Sequence, residues 1–418
     1  DEAYQIGKDD EPLKPYLNGE EIIALAKAKG VDAIHPGYGF LSENSEFARK
    51  CAEAGVIFIG PDPKVMDALG DKITAKKIAE KCKVPTIKSN TKDLTSLKIA
   101  LSEASTIGYP VMLKAASGGG GRGMRIIRSD DDLKNNFESA QSEAGNAFGD
   151  DTMFLEKYVE EPKHLEVQIV ADNHGNIRHL YERDCSVQRR HQKVVEVAPS
   201  YNVSEKVKQS LYKYAVSIAE EVSYNNVGTV EFLVDKNDNV FFIEVNPRIQ
   251  VEHTVTEMVT GIDLIKSQIF IAGGYKLSDK QIKIYDQDSL KTYGFALQCR
   301  LTTEDPTNNF TPDYGTITTY RSASGMGIRL DAGSIYQSYS ISPFFDSMLV
   351  KVSAHGRTLD GAVRKMVRAL KEFRIRGVKT NIHFLQNVIQ HDTFKEGAAT
   401  VNFIGNTPSL FDVKLPQD

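Results

Sequence analysis

Between residues 228 and 246 the chain reads GTVEFLVDKNDNVFFIEVN, with hydrophobic and polar positions alternating on either side of a polar tetrad. TVEFLV and VFFIEV are β-rich runs, and Lys236-Asn237-Asp238-Asn239 between them is turn chemistry. The pattern predicts a hairpin folded about Asn237 and Asp238. Glu231 then falls opposite Glu244, while Val230, Phe232 and Val234 share the other face with Phe241, Ile243 and Val245. One face is core and the other carries the acids.

Other periods organise the rest of the chain. EEIIALAKAKG and SEFARKCAEAG have apolar positions at helical spacing and close on Gly30 and Gly55, while VDAIHPG and VIFIG read as strands. This alternation predicts a parallel sheet wound with helices. HPGYGFLSEN, residues 35–44, is either a ligand-binding strand end or a tight loop before a capped helix. Few strands precede it, so this first unit is expected to be incomplete. A basic helical stretch begins near Lys72. YPVMLKAASGGGGRGMRIIRS, residues 109–129, reads as strand, glycine loop, strand. Further on, His164, Glu166 and Gln168 take one face of a strand and Leu165, Val167 and Ile169 the other. After residue 290 short strands and turns give way to helices at LDGAVRKMVRALKEF and near NIHFLQNVIQH.

At 418 residues the chain has room for two or three domains. Its net charge of -5 gives no general affinity for nucleic acid. The dense segment ERDCSVQRRHQKVVEVAPS carries Arg189, Arg190, His191 and Lys193 without interleaved aromatics, which suits an anion site better than a nucleic-acid patch. Cys51, Cys82, Cys185 and Cys299 match neither a disulfide framework nor a zinc pattern, so reduced thiols are expected. There is no membrane-spanning apolar run and no signal peptide. A cytoplasmic location is expected, or the mitochondrial matrix in a eukaryote, since a chain starting without Met is compatible with removal of a targeting segment.

The acids then acquire a chemical reading. Carboxylates paired across a hairpin repel one another unless a cation lies between them. Without metal, at least one of Glu231 and Glu244 is expected to have a raised pKa. Asn246 adds a third oxygen on the same face, and hard oxygen donors suit Mg²⁺ or Mn²⁺ shared with substrate phosphates. An exposed hairpin with acids on its wet face is the plainer alternative. Pro247 stops the strand, and Arg248, Gln250 and Glu252 follow at alternating positions. The run Gly118, Gly119, Gly120, Gly121 leaves backbone N–H groups unobstructed beside Lys114 and Arg122, which suits a mobile flap over phosphates or a flexible linker. It lacks the spacing of a Walker loop.

In this order HPGYGFLSEN, KAASGGGGRGMR, ERDCSVQRRHQKVVE and EVNPRIQVEHTVTEM make the chain resemble the biotin carboxylases, a branch of the ATP-grasp enzymes. EFRIRGVKTN and NTPSLFD look most like the biotin carboxylase domain of pyruvate carboxylases. The resemblance implies an α/β and α+β architecture in successive parts. These are a truncated Rossmann-like subdomain (1–75), a glycine-rich lid (76–158), an ATP-grasp core (159–290), an antiparallel-sheet subdomain (291–410) and the start of a linker (411–418).

It also implies roles. Lys72, Lys114, Glu156, Lys157, His164, Gln188 and His191 would hold ATP under the glycine lid, and Glu231, Glu244 and Asn246 would carry Mg²⁺. Glu252 would deprotonate bicarbonate, surrounded by Lys193, Arg248, Gln250 and Val251. Arg300, on a separate strand, would face the biotin ureido oxygen. A biotinylated carrier domain, a carboxyltransferase domain of the same polypeptide and a homo-oligomeric assembly are the implied partners. The rival readings are the same half-reaction in an acyl-CoA carboxylase, another ATP-grasp ligase such as a carboxylate–amine ligase, and a nucleotide-binding module without turnover.

Overall fold

One eight-stranded antiparallel sheet organises the molecule, in a computed structural model that describes residues 2–8, 10–90, 94–115, 124–148, 151–333 and 335–413. Ahead of that sheet, α1 (Gly19–Ala28), β1 (Ala33–Ile34), α2 (Ser45–Glu53) and β2 (Ile57–Phe58) alternate as the periodicity predicts. The two short strands pair in parallel, Ala33 with Ile57 and Ile34 with Phe58. Asn18 and Asn44 cap the helices by accepting the N–H groups of Glu21 and Phe47. Their apolar sides meet in a cluster built on Ile23, Leu41, Phe47, Cys51 and Val56. Then come α3 (Pro63–Gly70) and α4 (Lys72–Lys81), where Asp71 accepts the Thr74 N–H and so starts the helix at Lys72.

The lid is self-contained. It comprises α5 (Leu97–Ile107), β3 (Val111–Ala115), β4 (Met124–Ile127), α6 (Asp130–Phe148) and β5 (Met153–Lys157), with its strands in the order β4-β3-β5. Leu113, Ile127, Leu133, Phe137 and Leu155 are buried in a core that, among the described residues, is built from lid side chains alone. The predicted hairpin is present, running from Val111–Ile127 to Lys114–Met124. The glycine run Gly118 to Gly121 lies outside the described residues.

β6 (Lys163–Ala171), β7 (Ile177–Arg189) and β8 (Gln192–Ala198) follow, then α7 (Glu205–Glu221), β9 (Asn226–Val234) and β10 (Val240–Asn246). α8 (His253–Thr260) and α9 (Leu264–Ala272) lead to β11 (Phe295–Thr302). Short β12 (Glu304–Asp305), β13 (Thr311–Pro312) and β14 (Thr319–Arg321) precede β15 (Ile328–Ala332) and β16 (Met348–Gly356). α10 (Leu359–Glu372), β17 (Arg374–Arg376) and α11 (Ile382–Gln390) come after them. The large sheet has the order β10-β9-β6-β7-β8-β11-β16-β15. It runs unbroken across the expected boundary at residue 290, with Ala198 of β8 paired to Ala296 of β11. Leu211, Ala215 and Ile218 of α7 pack on Leu165, Val167 and Phe232 at one end of the sheet, and α10 and α11 pack on Leu297, Val350 and Val352 at the other.

The β9–β10 hairpin pairs Glu231 with Glu244 as expected, by a different route. Asp235 gathers the turn by accepting the N–H groups of Asn237 and Asn239, so Val234 pairs with Val240 and Phe232 with Phe242. A bulge at Ile243 then restores the Glu231–Glu244 register. Val240, Phe242 and Val245 therefore supply the core face, and Phe241 and Ile243, expected there, are only half-buried off it.

Candidate functional site

Lys193 is the centre of the site. β7 and β8 are joined by Arg190 and His191, both with positive φ (50° and 64°), and this tight reversal sends Lys193 back across the sheet face. Its Nζ donates to Glu166 at 2.5 Å, Glu231 at 3.0 Å and Glu252 at 2.7 Å. Burial alone would lower its pKa, but the three carboxylates outweigh burial and hold it well above the ordinary lysine value.

The carboxylates respond in kind. Burial pushes the Glu231 carboxyl up, yet Lys193 and His164 reverse this and leave it well below the usual range. Its Oε1 also accepts from Asn246 Nδ2 at 2.8 Å and Gln250 Nε2 at 2.7 Å, and His164 Nε2 lies 2.5 Å from Oε2. The rise expected from repulsion by Glu244 is thus reversed at Glu231, because protein cations fill the place assigned to metal. Glu252 is also opposed by burial, and Lys193, Arg300 and Arg183 together depress its carboxyl far below the usual value.

Behind them lies Arg183, fully buried, with hydrogen bonds from all three guanidinium nitrogens. Nε donates to Glu166 at 2.5 Å, Nη1 to Gln168 at 2.7 Å and Thr256 at 3.0 Å, and Nη2 to Thr229 at 3.2 Å and Gln250 Oε1 at 2.8 Å. By taking the Gln250 oxygen, Arg183 turns the amide nitrogen towards Glu231. Arg300 joins the group from β11, donating from Nε to Glu196 at 2.7 Å and from Nη2 to Glu252 at 3.2 Å.

Several expected residues take up other positions. Arg248 forms no hydrogen bond or ion pair with Glu252: it donates to Asn246 Oδ1 at 3.0 Å and the Ile249 carbonyl at 3.2 Å, and its Nε is 3.3 Å from Glu43 of the 35–44 loop. The cations that do depress Glu252 include Arg183 and Arg300 in its place. That loop is also tied to α9, through His35 and Gln268 at 3.0 Å. Lys157 points away from its neighbour Glu156 and donates to the carbonyls of Gly108 and Tyr109 at 2.9 and 2.8 Å, so its amino group serves the lid's own fold. Lys114 pairs with Glu156 at 2.5 Å. Burial, then the nearby charges of Lys114 and His164, lower the His191 pKa. Gln188 Nε2 lies 2.6 Å from His164 Nδ1. Val251 takes part through its carbonyl, which accepts Lys351 Nζ at 3.2 Å.

Glu166, Arg183, Glu196, Glu43 and Lys351 were not among the sequence candidates. Glu166 and Gln168, on the strand face that also carries half-buried His164, are fully buried.

The donor set fits a hard divalent cation. Glu244 is half-exposed, with Lys72 at 3.5 Å its ion-pair partner among the described residues. Glu244 has the open oxygens of the expected set: Glu231 Oε1 already accepts from Lys193, Asn246 and Gln250, and Asn246 Oδ1 from Arg248. A Mg²⁺ or Mn²⁺ ion would be held first at Glu244 and gain Glu231 and Asn246 as Lys193 and Arg248 move aside.

Lid, acidic hairpin and cation-filled sheet face together define an ATP-grasp protein. The chain matches the model for the biotin carboxylase N-terminal domain over residues 1–66 and that for the carbamoyl-phosphate synthase L chain ATP binding domain over 71–280. Residues 298–406 match the biotin carboxylase C-terminal domain. Pyruvate carboxylase of Staphylococcus aureus is 53% identical over the whole chain, which covers 36% of that protein. The biotin carboxylase domain dimer of Hydrogenobacter thermophilus 2-oxoglutarate carboxylase, in complex with MgADP, ADP and bicarbonate, superposes with a TM-score of 0.91 at 44% identity, covering 99% of this chain and 90% of that one. A Rhizobium etli pyruvate carboxylase with the allosteric activator acetyl coenzyme A superposes with a TM-score of 0.90 at 50% identity, covering all of this chain and 37% of that one. The chain belongs to the biotin carboxylase family of ATP-dependent ligases. It spans about a third of the length of the curated relatives it matches, 36% of the first.

Proposed function

We propose that the chain carries out the biotin carboxylase half-reaction as part of a pyruvate carboxylase: MgATP-dependent carboxylation of carrier-borne biotin by bicarbonate. The observation that carries this reading is the Lys193 ammonium held by Glu166, Glu231 and Glu252, with Arg300 bonded to the same Glu252. A site with fixed charges already in place needs little reorganisation when phosphoryl transfer develops negative charge.

The assigned roles follow from this. Lys72, Lys114, Glu156, His164, Gln188 and His191 bind ATP. Glu244, joined by Glu231 and Asn246 once Lys193 and Arg248 yield, would hold Mg²⁺, which would supply charge neutralisation at the phosphates. Glu252, kept ionised by Lys193 and Arg300, accepts the bicarbonate proton as the bicarbonate oxygen attacks the γ-phosphorus and ADP leaves. Those two cations also make Glu252 a weak base, so bicarbonate must draw at least one of them away as it binds. Carboxyphosphate then parts into CO₂ and phosphate, the phosphate takes the proton of biotin N1′, and N1′ attacks CO₂. Arg300 stabilises the negative charge on the ureido oxygen meanwhile.

The subdomains expected at 159–290 and 291–410 share one sheet and act together, and the assembly is a homo-oligomer with a biotinylated carrier and a carboxyltransferase on the same polypeptide. Among the described residues no helix is long and apolar enough to cross a membrane, which accords with a cytoplasmic or matrix enzyme. Pyruvate as final acceptor is favoured by the whole-chain identity to pyruvate carboxylase. ADP release measured with and without bicarbonate and free biotin tests the reading. ATP binding without bicarbonate-dependent turnover would leave a nucleotide-binding module instead.

A further inference from the structure

The turn that delivers Glu252 is held from two sides. On one, Arg183 and Glu231 fix the Gln250 side chain, and His253 Nδ1 lies 2.7 Å from the Gln250 carbonyl. On the other, Lys351 rises from β16, where it is the register partner of Arg300 on β11 and of Asp331 on β15. Its side chain is buried at 5% exposure, and its one hydrogen-bond partner among the described residues is the Val251 carbonyl at 3.2 Å. The Tyr38 ring, from the 35–44 loop, has its centroid 5.7 Å from Nζ. No carboxylate among the described residues forms an ion pair with Lys351. An ammonium buried without an ion pair, attracted only from further off by Asp331, Glu196 and Glu257, is costly compared with an apolar side chain of similar shape, so stability alone does not account for it.

The peptide plane explains what it accomplishes. A carbonyl held in one direction fixes the whole planar unit from Val251 to Glu252, hence ψ of Val251 and φ of Glu252. Glu252 sits just before α8 with φ -85° and ψ 6°, so a rotation of that plane would swing its carboxylate away from Lys193 and Arg300.

We propose that Lys351 is a positioning residue for bicarbonate activation, acting through the Val251 carbonyl to aim Glu252. This rests on the reading of Glu252 as the group that receives the bicarbonate proton. In the full-length protein, Lys351→Met is compared with Lys351→Arg, which keeps a donor. Lys351→Met should lower kcat/KM for bicarbonate by about 10- to 100-fold, the scale of a small misplacement of a reacting group, with KM for ATP moving by less than about twofold. Lys351→Arg should restore most of the loss. Amide hydrogen exchange at residues 250–254, measured without substrates, should be faster in Lys351→Met. Should that variant fail to fold, Lys351→Gln is read in the same way. Wild-type bicarbonate kinetics in the variant, or equal damage to ATP and bicarbonate parameters, would overturn the proposal. If the unmodified protein shows no bicarbonate-dependent ADP release, the functional reading falls, and exchange alone decides: faster exchange supports positioning and unchanged exchange overturns it.

Discussion

Arg300 Nη2 lies 3.2 Å from Glu252 Oε2, so the arginine assigned to biotin also touches the carboxylate assigned to bicarbonate. The two halves of the reaction therefore share a hydrogen bond. Glu252→Gln should abolish bicarbonate-dependent ATP cleavage whether or not biotin is present. Arg300→Ala should remove the acceleration by biotin, at a cost of about 3 kcal/mol in the carboxylation barrier, and should also weaken bicarbonate use several-fold. ADP release at varied bicarbonate reads both. An unchanged KM for bicarbonate in Arg300→Ala would show that the contact contributes nothing before biotin arrives.

Glu244 projects towards solvent and Lys72, while Glu231 is fully engaged by protein donors. Glu244→Gln should accordingly raise the Mg²⁺ concentration needed for half-maximal turnover by about tenfold, equivalent to about 1.4 kcal/mol, and leave the unfolding midpoint unchanged. Identical Mg²⁺ titrations for variant and parent would remove Glu244 from the metal site.

Arg183 is the largest fully buried side chain among the described residues. Arg183→Met would strand Glu166 Oε1 and the Gln250 oxygen without their donor, with Lys193 still holding Glu166 Oε2, and a broken buried pair costs about 3–5 kcal/mol. Denaturant unfolding should show that loss. Replacing Glu166 by Met as well should recover part of it, because the stranded charge is then gone. Additive losses would mean that the two side chains act independently.

Two buried histidines set an acid limit. Burial lowers His179, stacked on Tyr212, to about 4, and lowers His253 to about 4 as well. Both stay neutral in the folded protein while the unfolded chain takes up protons below about 6.5. Their contribution is thus intact above pH 6.5 and is lost as pH falls towards 4, by about 2 kcal/mol for each histidine at pH 5. His179→Phe, which keeps the stacking, should flatten the decline in unfolding free energy between pH 7 and pH 5. An unaltered slope would assign the acid sensitivity elsewhere.

Period and turn chemistry made the hairpin, the lid strands and the first parallel pair legible in the sequence, because each is a local pattern. The facing of Glu231 and Glu244 was legible too, although the bulge at Ile243 was not: a one-residue register shift leaves no trace in alternation. The site was readable where one segment carries several members, as in Asn246, Gln250 and Glu252. Arg183 and Glu196 were hidden because their meaning depends on which strands become neighbours. Lys351 was hidden for the same reason, since it lies 100 residues from the carbonyl it holds. Charge density in the 182–200 segment marked a site without saying which cation would be buried, and burial is what separates Arg183 from Arg189.

The pairing of β8 with β11 bears on how such chains can be recombined. A chimera joined at residue 290 would ask two parents to agree on one ladder, Ala296 to Cys299 of one laid against Val195 to Ala198 of the other. That seam carries Glu196 and Arg300 on either side of it. A mismatch of one residue would turn Arg300 to the opposite face and empty the site while both halves still folded. The lid, with a core of its own, can be exchanged between lineages with far less risk.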